Sequence, residues 1–185
     1  MRDNQKTLLQ TQVFKVIEKR FQGQRFAVIE NSDWANALAF DQNGLLNLVK
    51  QKRYGGAFET VEPAGGIVDK GSTPLNTAKD ELREEVGLVS DNWHSTGSFM
   101  PNPALMNNRC HCFVCFDAIE TKNWEPSIGE ERFVIEPKYL KAWVFDQLTL
   151  HGLVLATVLL AARNSEIILK QNSDWGRAFR DICSI

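Results

Sequence analysis

The segment from residue 65 to residue 88 constrains the fold more than any other part of the chain. Its apolar residues recur at helical spacing: Leu75, Ala78, Leu82 and Val86. Thr73 can cap the start of this helix, Pro74 suits its first turn, and Gly87 suits the left-handed position that often ends a helix. The pattern predicts a glycine-rich loop over residues 63–71, followed by one amphipathic helix that buries a single stripe.

A second face of this helix carries three carboxylates. Glu81, Glu84 and Glu85 stand at positions i, i+3 and i+4, where side chains lie one above another and like charges repel by about 0.2–0.5 kcal/mol per pair. A solvated acidic face is the ordinary explanation of such a helix. Here, however, a glycine loop would bring backbone amides and carbonyls close to a ligand. The pattern therefore favours a hard divalent cation, which prefers carboxylate oxygens, water and substrate phosphates.

This segment resembles the Nudix box, the signature of the Nudix hydrolases. In the family pattern a glycine is followed after five residues by Glu, and after seven more by Arg-Glu-hydrophobic-any-Glu-Glu-any-Gly-hydrophobic. Seven positions agree without a gap: Gly66, Glu81, Leu82, Glu84, Glu85, Gly87 and Leu88. Two positions depart, since Ser72 stands where the family has Glu and Asp80 where it has Arg. In the family those two side chains mainly support the loop and the helix.

The resemblance extends over most of the chain to the branch that hydrolyses ADP-ribose and nucleoside-diphosphate sugars. It implies that the backbone carbonyl of Ala64 joins Glu81, Glu84 and Glu85 as a metal ligand, with Mg²⁺ or Mn²⁺ as the cofactor. It also implies that Arg53, which follows an apolar strand, holds substrate phosphate. The alternative for Arg53 is an ordinary surface base.

Four residues outside the box have further implied roles. Glu130 and Glu131 precede a strand and resemble a mobile loop that brings another acid to the metals. Glu130 aligns best as a metal ligand, and the general base is either of these acids or a box glutamate, Glu84 or Glu85. Arg109 could bind phosphate or pair with a carboxylate. Trp34 could stack on a nucleobase, or could equally be a core or dimer-interface residue.

Strand patterns come early in the chain and helical patterns come late. Strands are predicted over residues 13–17, 25–29, 34–40, 45–50, 110–119 and 132–135, and helices over residues 137–147 and 150–163. This order predicts an α/β fold of mixed α+β type, with a mixed sheet between helices, rather than a doubly wound parallel fold. We expect residues 1–32 to form an N-terminal β-hairpin region for dimerisation, equivalent to the branch's extra antiparallel sheet, and residues 33–185 to form the Nudix domain.

Composition and short motifs exclude other classes. The 185 residues carry a formal net charge of −2, without the basic excess of nucleic-acid-binding domains. The longest apolar run, residues 152–162, is shorter than the roughly 20 residues of a membrane span, and no signal peptide is visible, so we expect a cytoplasmic protein. Strand alternation separates Cys110 and Cys112 from His111 and Cys115, which argues for buried thiols and against a zinc site.

The resemblance therefore implies a homodimeric pyrophosphatase that uses Mg²⁺ or Mn²⁺. Its substrate would be a nucleoside diphosphate linked to a sugar, such as ADP-ribose, and its products a nucleoside monophosphate and a sugar phosphate. Two alternatives stay open. One is a Nudix enzyme acting on RNA 5′ ends or another nucleotide, against which the absence of a basic stripe speaks. The other is a non-catalytic module that binds nucleotide sugars, suggested by Ser72 and Asp80.

Overall fold

A computed structural model describes residues 5–145 and 151–184. The strands are β1 Lys6–Gln10, β2 Phe14–Phe21, β3 Gln24–Asn31, β4 Trp34–Asp41, β5 Leu46–Arg53, β6 Phe58–Glu62, β7 Ala64–Ile67, β8 Leu88–Val89, β9 Asn92–Phe99, β10 Cys110–Glu120 and β11 Glu130–Ile135. The helices are α1 Pro74–Glu81, α2 Leu140–Val144, α3 Gly152–Arg163, α4 Ser165–Gln171 and α5 Ser173–Cys183. A π-helical turn, Leu82–Val86, continues α1, and a 3-10 turn, Pro137–Tyr139, precedes α2.

The larger sheet is mixed. Its main path runs β11-β5-β4-β10-β8, with β6 beside β5, β7 beside β4 and β9 beside β10. β4 and β10 are parallel, whereas the other ladders are antiparallel. The predicted mixed sheet with helices is confirmed.

The central strand β4 shows why both faces of this sheet are covered. Ala35, Ala37 and Ala39 are fully buried in clusters with residues of α1 and the π-helical turn. Leu38 and Phe40 belong instead to the large cluster formed with α2, α3, α4 and α5. Side chains alternate between the two faces of a strand. The small residues of β4 therefore pack against α1 and its π-helical continuation, together called the box helix, and the large residues form the main core on the other face.

The C-terminal helices close the main core with aromatic residues. Trp175 and Phe179 of α5 are fully buried, and their ring centroids lie 5.0 and 6.3 Å from that of Phe40. The Trp175 indole N–H also donates to the Gly44 carbonyl, at 2.6 Å. In the described part of the chain no single helix has the length and apolarity to span a membrane. α3 and α4 reach those limits only when taken together, and they are bent by 71°.

Residues 6–31 form a separate antiparallel sheet in the order β1-β2-β3. It is joined to the rest of the chain by the Ile29 N–H, which donates to the Leu105 carbonyl at 2.7 Å, and by the Asn31 N–H, which donates to Asn107 Oδ1 at 3.2 Å. The extra N-terminal sheet is confirmed, with a third strand beyond the predicted hairpin. The domain boundary between residues 32 and 33 stays a prediction.

Several element predictions need correction. Residues 64–67 are not loop, because they pair antiparallel with β4 as strand β7. Glu130 and Glu131 begin β11 and are not in the loop before it, since they pair with Gln51 and Lys50 of β5. The helix predicted over residues 137–147 starts as a 3-10 turn, and the one predicted from residue 150 begins at Gly152. Residues 146–147 and 150 of these two predictions lie outside the described residues.

The approach of β7 to β4 yields a stability prediction. A Cβ added at Gly65 would lie 2.6 Å from the Ala35 carbonyl oxygen and would overlap Asn36 Oδ1. Because a backbone atom cannot yield without moving the strand, Gly65→Ala should lower the free energy of unfolding by about 1–3 kcal/mol, as overpacked cores do. Urea denaturation measures this change.

Gly152→Ala is the control, since no atom of the described residues lies within 4 Å of its added Cβ. Its effect should be within about 0.5 kcal/mol of zero. Equal stabilities of the two variants would contradict the tight contact between β7 and β4.

Candidate active site

Glu85 is held by the backbone of β7. Its carboxylate Oε2 accepts a hydrogen bond of 2.8 Å from the Gly65 N–H. Burial raises the pKa of Glu85 to about 8, the Gly65 hydrogen bond opposes that rise, and the charges of Glu81 and Glu130 add to it. A carboxylate in such a place is costly in its charged form unless a cation offsets the charge. Single π-helical turns inside helices, like the one that carries Glu85, are frequent at functional sites.

Glu81 packs against the second glycine of β7. A Cβ added at Gly66 would lie 2.5 Å from Glu81 Cδ and would overlap one carboxylate oxygen. Burial raises the pKa of Glu81, and the charge of Glu84 followed by that of Glu130 raises it further. Gly66 therefore leaves the space in which the Glu81 carboxylate lies beside the strand.

Glu84 is placed differently from the other two box acids. Its side chain is 65% exposed and lies 3.0 Å from the Arg83 guanidinium. Its carbonyl oxygen accepts a hydrogen bond of 2.8 Å from the Trp124 indole N–H. Of the three acids, only Glu81 and Glu85 are packed against β7, and Glu84 stands at the rim.

The ends of the box helix follow the sequence prediction. Thr73 Oγ1 accepts a hydrogen bond from the Asn76 N–H at 3.2 Å, and Pro74 is the first helical residue. At the other end Gly87 has φ of 73°, and a Cβ there would lie 2.5 Å from Trp124 Cγ. The tryptophan ring thus occupies the space that a side chain at residue 87 would need.

The two residues that depart from the box pattern make local contacts. Ser72 Oγ accepts a hydrogen bond from the Thr77 hydroxyl at 3.4 Å. Asp80 lies 3.7 Å from the Arg83 guanidinium, one helical turn ahead, and both side chains are more than half exposed. Ser72 therefore contacts the first turn of the box helix, and Asp80 contacts a residue of the helix itself. An exposed ion pair such as Asp80–Arg83 contributes little to stability.

Arg53 is fixed by a buried carboxylate. Its Nε and Nη2 donate to the two oxygens of Glu62, each at 2.7 Å. The Thr60 hydroxyl donates to the same carboxylate. Burial alone would raise the pKa of Glu62, but the hydrogen bonds from Arg53 and Thr60 outweigh it and hold the pKa below its usual range. The charges of Glu85 and Glu130 also act on Arg53, so the guanidinium lies close to the acids.

The register of β11 separates the two acids that precede Arg132. Glu130 lies opposite Gln51, so its side chain shares a sheet face with Gln51 and Arg53. Glu131 projects to the other face, where it is 71% exposed and lies 3.8 Å from the Lys50 ammonium. Only Glu130 is brought toward the box.

The donors on the box side have the chemistry of a hard-cation site. Ala64 is fully buried, and its carbonyl oxygen belongs to the same trans peptide unit as the Gly65 N–H that binds Glu85, on the opposite side of that unit. Carboxylate and carbonyl oxygens are the ligands that Mg²⁺ and Mn²⁺ prefer. Within residues 5–145 and 151–184 no three acidic, histidine or cysteine side chains converge closely enough to hold an ion as they stand.

Arg109 and Trp34 lie at the start of β10 and β4, away from these contacts. The Arg109 guanidinium donates to Ser98 Oγ at 3.0 and 3.1 Å. The Trp34 indole N–H donates to Asn36 Oδ1 at 2.8 Å, and Asn36 in turn contacts α3. In the described part of the chain neither side chain bonds to the acids, and Trp34 shares the sheet face of Asn36, opposite the box helix.

The predicted alternation of the cysteines is confirmed. Cys112 lies 3.4 Å from Thr157 Oγ1 on the α3 side, whereas Cys115 packs with Leu82 and Val86 on the box side. Cys110, Cys112 and Cys115 are buried free thiols.

Sequence reasoning missed two residues of this region, Glu62 and Trp124. Glu62 could have been noticed as a charged residue inside an apolar strand, but only the pairing of β6 with β5 shows that it reaches Arg53. Trp124 lies in a polar loop and carries no local signal of its contact with the box helix.

Comparisons with known proteins agree with this geometry. A family model described as the NUDIX domain matches residues 33–149, well over half of the chain, while no curated protein matches. Of 283 matching solved chains, one is described as "Crystal structure of ADP compounds hydrolase", with a TM-score of 0.70 and 16% sequence identity. The match covers 90% of this chain and 92% of that chain and supports the predicted fold. Since the family model spans the box helix and every strand of the larger sheet, the chain belongs to the Nudix family.

Proposed function

We propose that this Nudix pyrophosphatase cleaves the diphosphate of ADP-ribose or a related nucleoside-diphosphate sugar. The observation that carries the proposal is the Glu85 carboxylate, which accepts a hydrogen bond from the Gly65 N–H while the Glu81 carboxylate packs against Gly66. The charges of Glu85 and Glu130 act on Arg53, whose guanidinium carries N–H donors. Oxygen ligands for a cation thus lie close to a donor for phosphate, as diphosphate hydrolysis requires.

Glu81, Glu85 and the Ala64 carbonyl would hold the first Mg²⁺ or Mn²⁺, and Glu84 would bind from the rim. Such ions neutralise the diphosphate and lower the pKa of a bound water. Arg53 would bind and orient a phosphoryl oxygen. Of the acids considered as general base, we favour Glu130, because it shares a sheet face with Arg53 and its charge acts on Glu85, whereas Glu131 projects to the other face.

The choice of substrate is supported by the resemblance in sequence and by the name of the structural neighbour, an ADP compounds hydrolase. Phosphate release through a coupled phosphatase, measured over a panel of nucleotide sugars with and without Mg²⁺, tests it. Release from ADP-ribose that depends on Mg²⁺ is expected. Turnover of 5′-triphosphorylated RNA alone, or binding of ADP-ribose without product, would contradict the proposal.

We also propose that the protein is a homodimer formed through the N-terminal sheet. Phe21 and Phe26 share one face of this sheet and are 66% and 45% exposed, and apolar side chains grouped on an exposed face are typical of interaction surfaces. Light scattering should give a mass twice the 21.0 kDa of the chain, and Phe26→Glu should lower it toward a single chain. A wild-type mass of one chain at micromolar concentration would contradict the dimer.

Glu85→Gln removes a charge and keeps the size of the side chain. Because sites of this kind lose about 10²–10³ in rate when one charge-stabilising group is removed, kcat with ADP-ribose and Mg²⁺ should fall by that factor while the far-UV spectrum is unchanged. Glu136→Gln, an exposed acid paired with Lys138, is the control and should keep wild-type kcat. Near-normal turnover of Glu85→Gln would contradict the assignment.

Gly66→Ala tests the space around Glu81. The added Cβ would displace the Glu81 carboxylate, the far end of a flexible side chain, so the melting temperature should change little while kcat/KM falls at least tenfold, or about 1.4 kcal/mol. Differential scanning fluorimetry and steady-state kinetics measure the two quantities, with Gly152→Ala as the control for both. Unchanged kcat/KM in a folded Gly66→Ala protein would show that Glu81 acts from another position.

A further inference from the structure

We propose that Glu62 is a positioning residue, which fixes the guanidinium of Arg53 in the one orientation that presents its free N–H groups to the substrate diphosphate. This inference rests on the proposed function, because it takes Arg53 as a phosphate-binding residue. Nothing in the box pattern assigns Glu62 a role. The juxtaposition on which the inference depends is that of Arg53, Glu62 and Thr60 on the paired strands β5 and β6.

The position of Glu62 is fully determined by its neighbours. Its side chain is 5% exposed, and both carboxylate oxygens accept hydrogen bonds from Arg53, at 2.7 Å each. The Thr60 hydroxyl, on the same strand face two residues earlier, donates to one of these oxygens. Thr60 is itself fully buried. The carboxylate can therefore hardly rotate, and a paired fork of hydrogen bonds transfers that rigidity to the guanidinium.

The hydrogen bonds of Arg53 leave a defined set of donors for a ligand. A guanidinium has five N–H groups, and Glu62 occupies one on Nε and one on Nη2. Among the described residues, the remaining three, two on Nη1 and one on Nη2, have no hydrogen-bond partner and form an edge that can bind an anion. The charges of Glu85 and Glu130 act on Arg53, so the guanidinium lies close to the acidic side of the site.

The Arg53–Glu62 ion pair allows a role in orienting the N–H donors to be distinguished from a role in supplying charge. Glu62 offsets the positive charge of Arg53, so the pair adds no net charge to attract phosphate. If charge alone mattered, Glu62 would weaken the binding of an anion, and its removal would tighten it. If Glu62 fixes the donors, its removal loosens binding although the local charge becomes more positive. The two explanations predict opposite signs for the change in KM.

Glu62→Gln is the direct test, because it keeps the size of the side chain and removes its charge. With ADP-ribose and Mg²⁺, KM should rise about tenfold while kcat changes less than KM, since directed N–H groups are lost from substrate binding. Glu120→Gln, which removes the exposed acid of the Arg132–Glu120 pair, is the matched control and should leave KM unchanged. An unchanged or lower KM in a folded Glu62→Gln protein would overturn the proposal.

A double-mutant cycle separates positioning from a general loss of structure. Arg53→Lys keeps the charge and removes the fork. In that background Glu62→Gln should change KM by less than about twofold, because the groups it positions are already gone. Full additivity of the two effects on KM would contradict the coupling.

Thr60→Val is a second variant that tests the positioning role of Glu62 if the Glu62→Gln protein does not fold. It preserves the Arg53–Glu62 ion pair and removes only the hydroxyl that anchors the carboxylate. KM should rise in the same direction by a smaller factor, roughly threefold, the loss expected for one hydrogen bond. A wild-type KM for Thr60→Val would contradict the anchoring.

Binding of inorganic pyrophosphate with Mg²⁺, measured by calorimetry on the same variants, distinguishes failure of this proposal from failure of the proposed function. If the wild-type protein does not hydrolyse ADP-ribose, the proposed function fails. Weaker pyrophosphate binding by Glu62→Gln and Thr60→Val would then still support the positioning of Arg53, and wild-type binding by both would overturn it. If the wild-type protein is active and the variants match it, only the positioning role fails.

Discussion

The hydrogen bond between the Gly65 N–H and the Glu85 carboxylate links the parts of this molecule that matter for chemistry. It requires a strand without a side chain at residue 65, because Asn36 and the Ala35 carbonyl of β4 fill that space. It also requires a helix that is capped by Thr73 and terminated by Gly87, so that Glu85 comes to lie over β7. The same contact thus depends on the small residues of β4, which pack against this helix, and on the glycines of β7. The packing of the helix on the sheet fixes the positions of the acids.

The site combines two different electrostatic arrangements. On the box side, Glu81 and Glu85 lie close together and partly buried, and their pKa values are raised mainly by burial. On the opposite side, Arg53 and Glu62 form a pair whose charges offset each other. A cation would stabilise the first arrangement, whereas the second supplies oriented donors without net charge. A diphosphate that carries its metal ions would satisfy both.

The sequence predicted the features that depend on local spacing. The cap at Thr73, the stripe of Ala78, Leu82 and Val86, the end at Gly87 and the family itself are confirmed. The features that depend on pairing between distant segments were not accessible. Strand β7 was hidden because two of its four residues are glycines, which have low strand propensity. The different faces of Glu130 and Glu131 follow from the register of β11 on β5, and the contact of Glu62 with Arg53 follows from the pairing of β6 with β5. No pattern within either segment fixes these registers.

The central claim is that these acids bind metal ions, and anomalous diffraction from crystals soaked in Mn²⁺ tests it most directly. The account predicts an anomalous peak between the carboxylates of Glu81 and Glu85 and the Ala64 carbonyl oxygen, at metal–oxygen distances of about 2.0–2.4 Å. Crystals saturated with Mn²⁺ that show no peak there, with both carboxylates turned into bulk solvent, would contradict it.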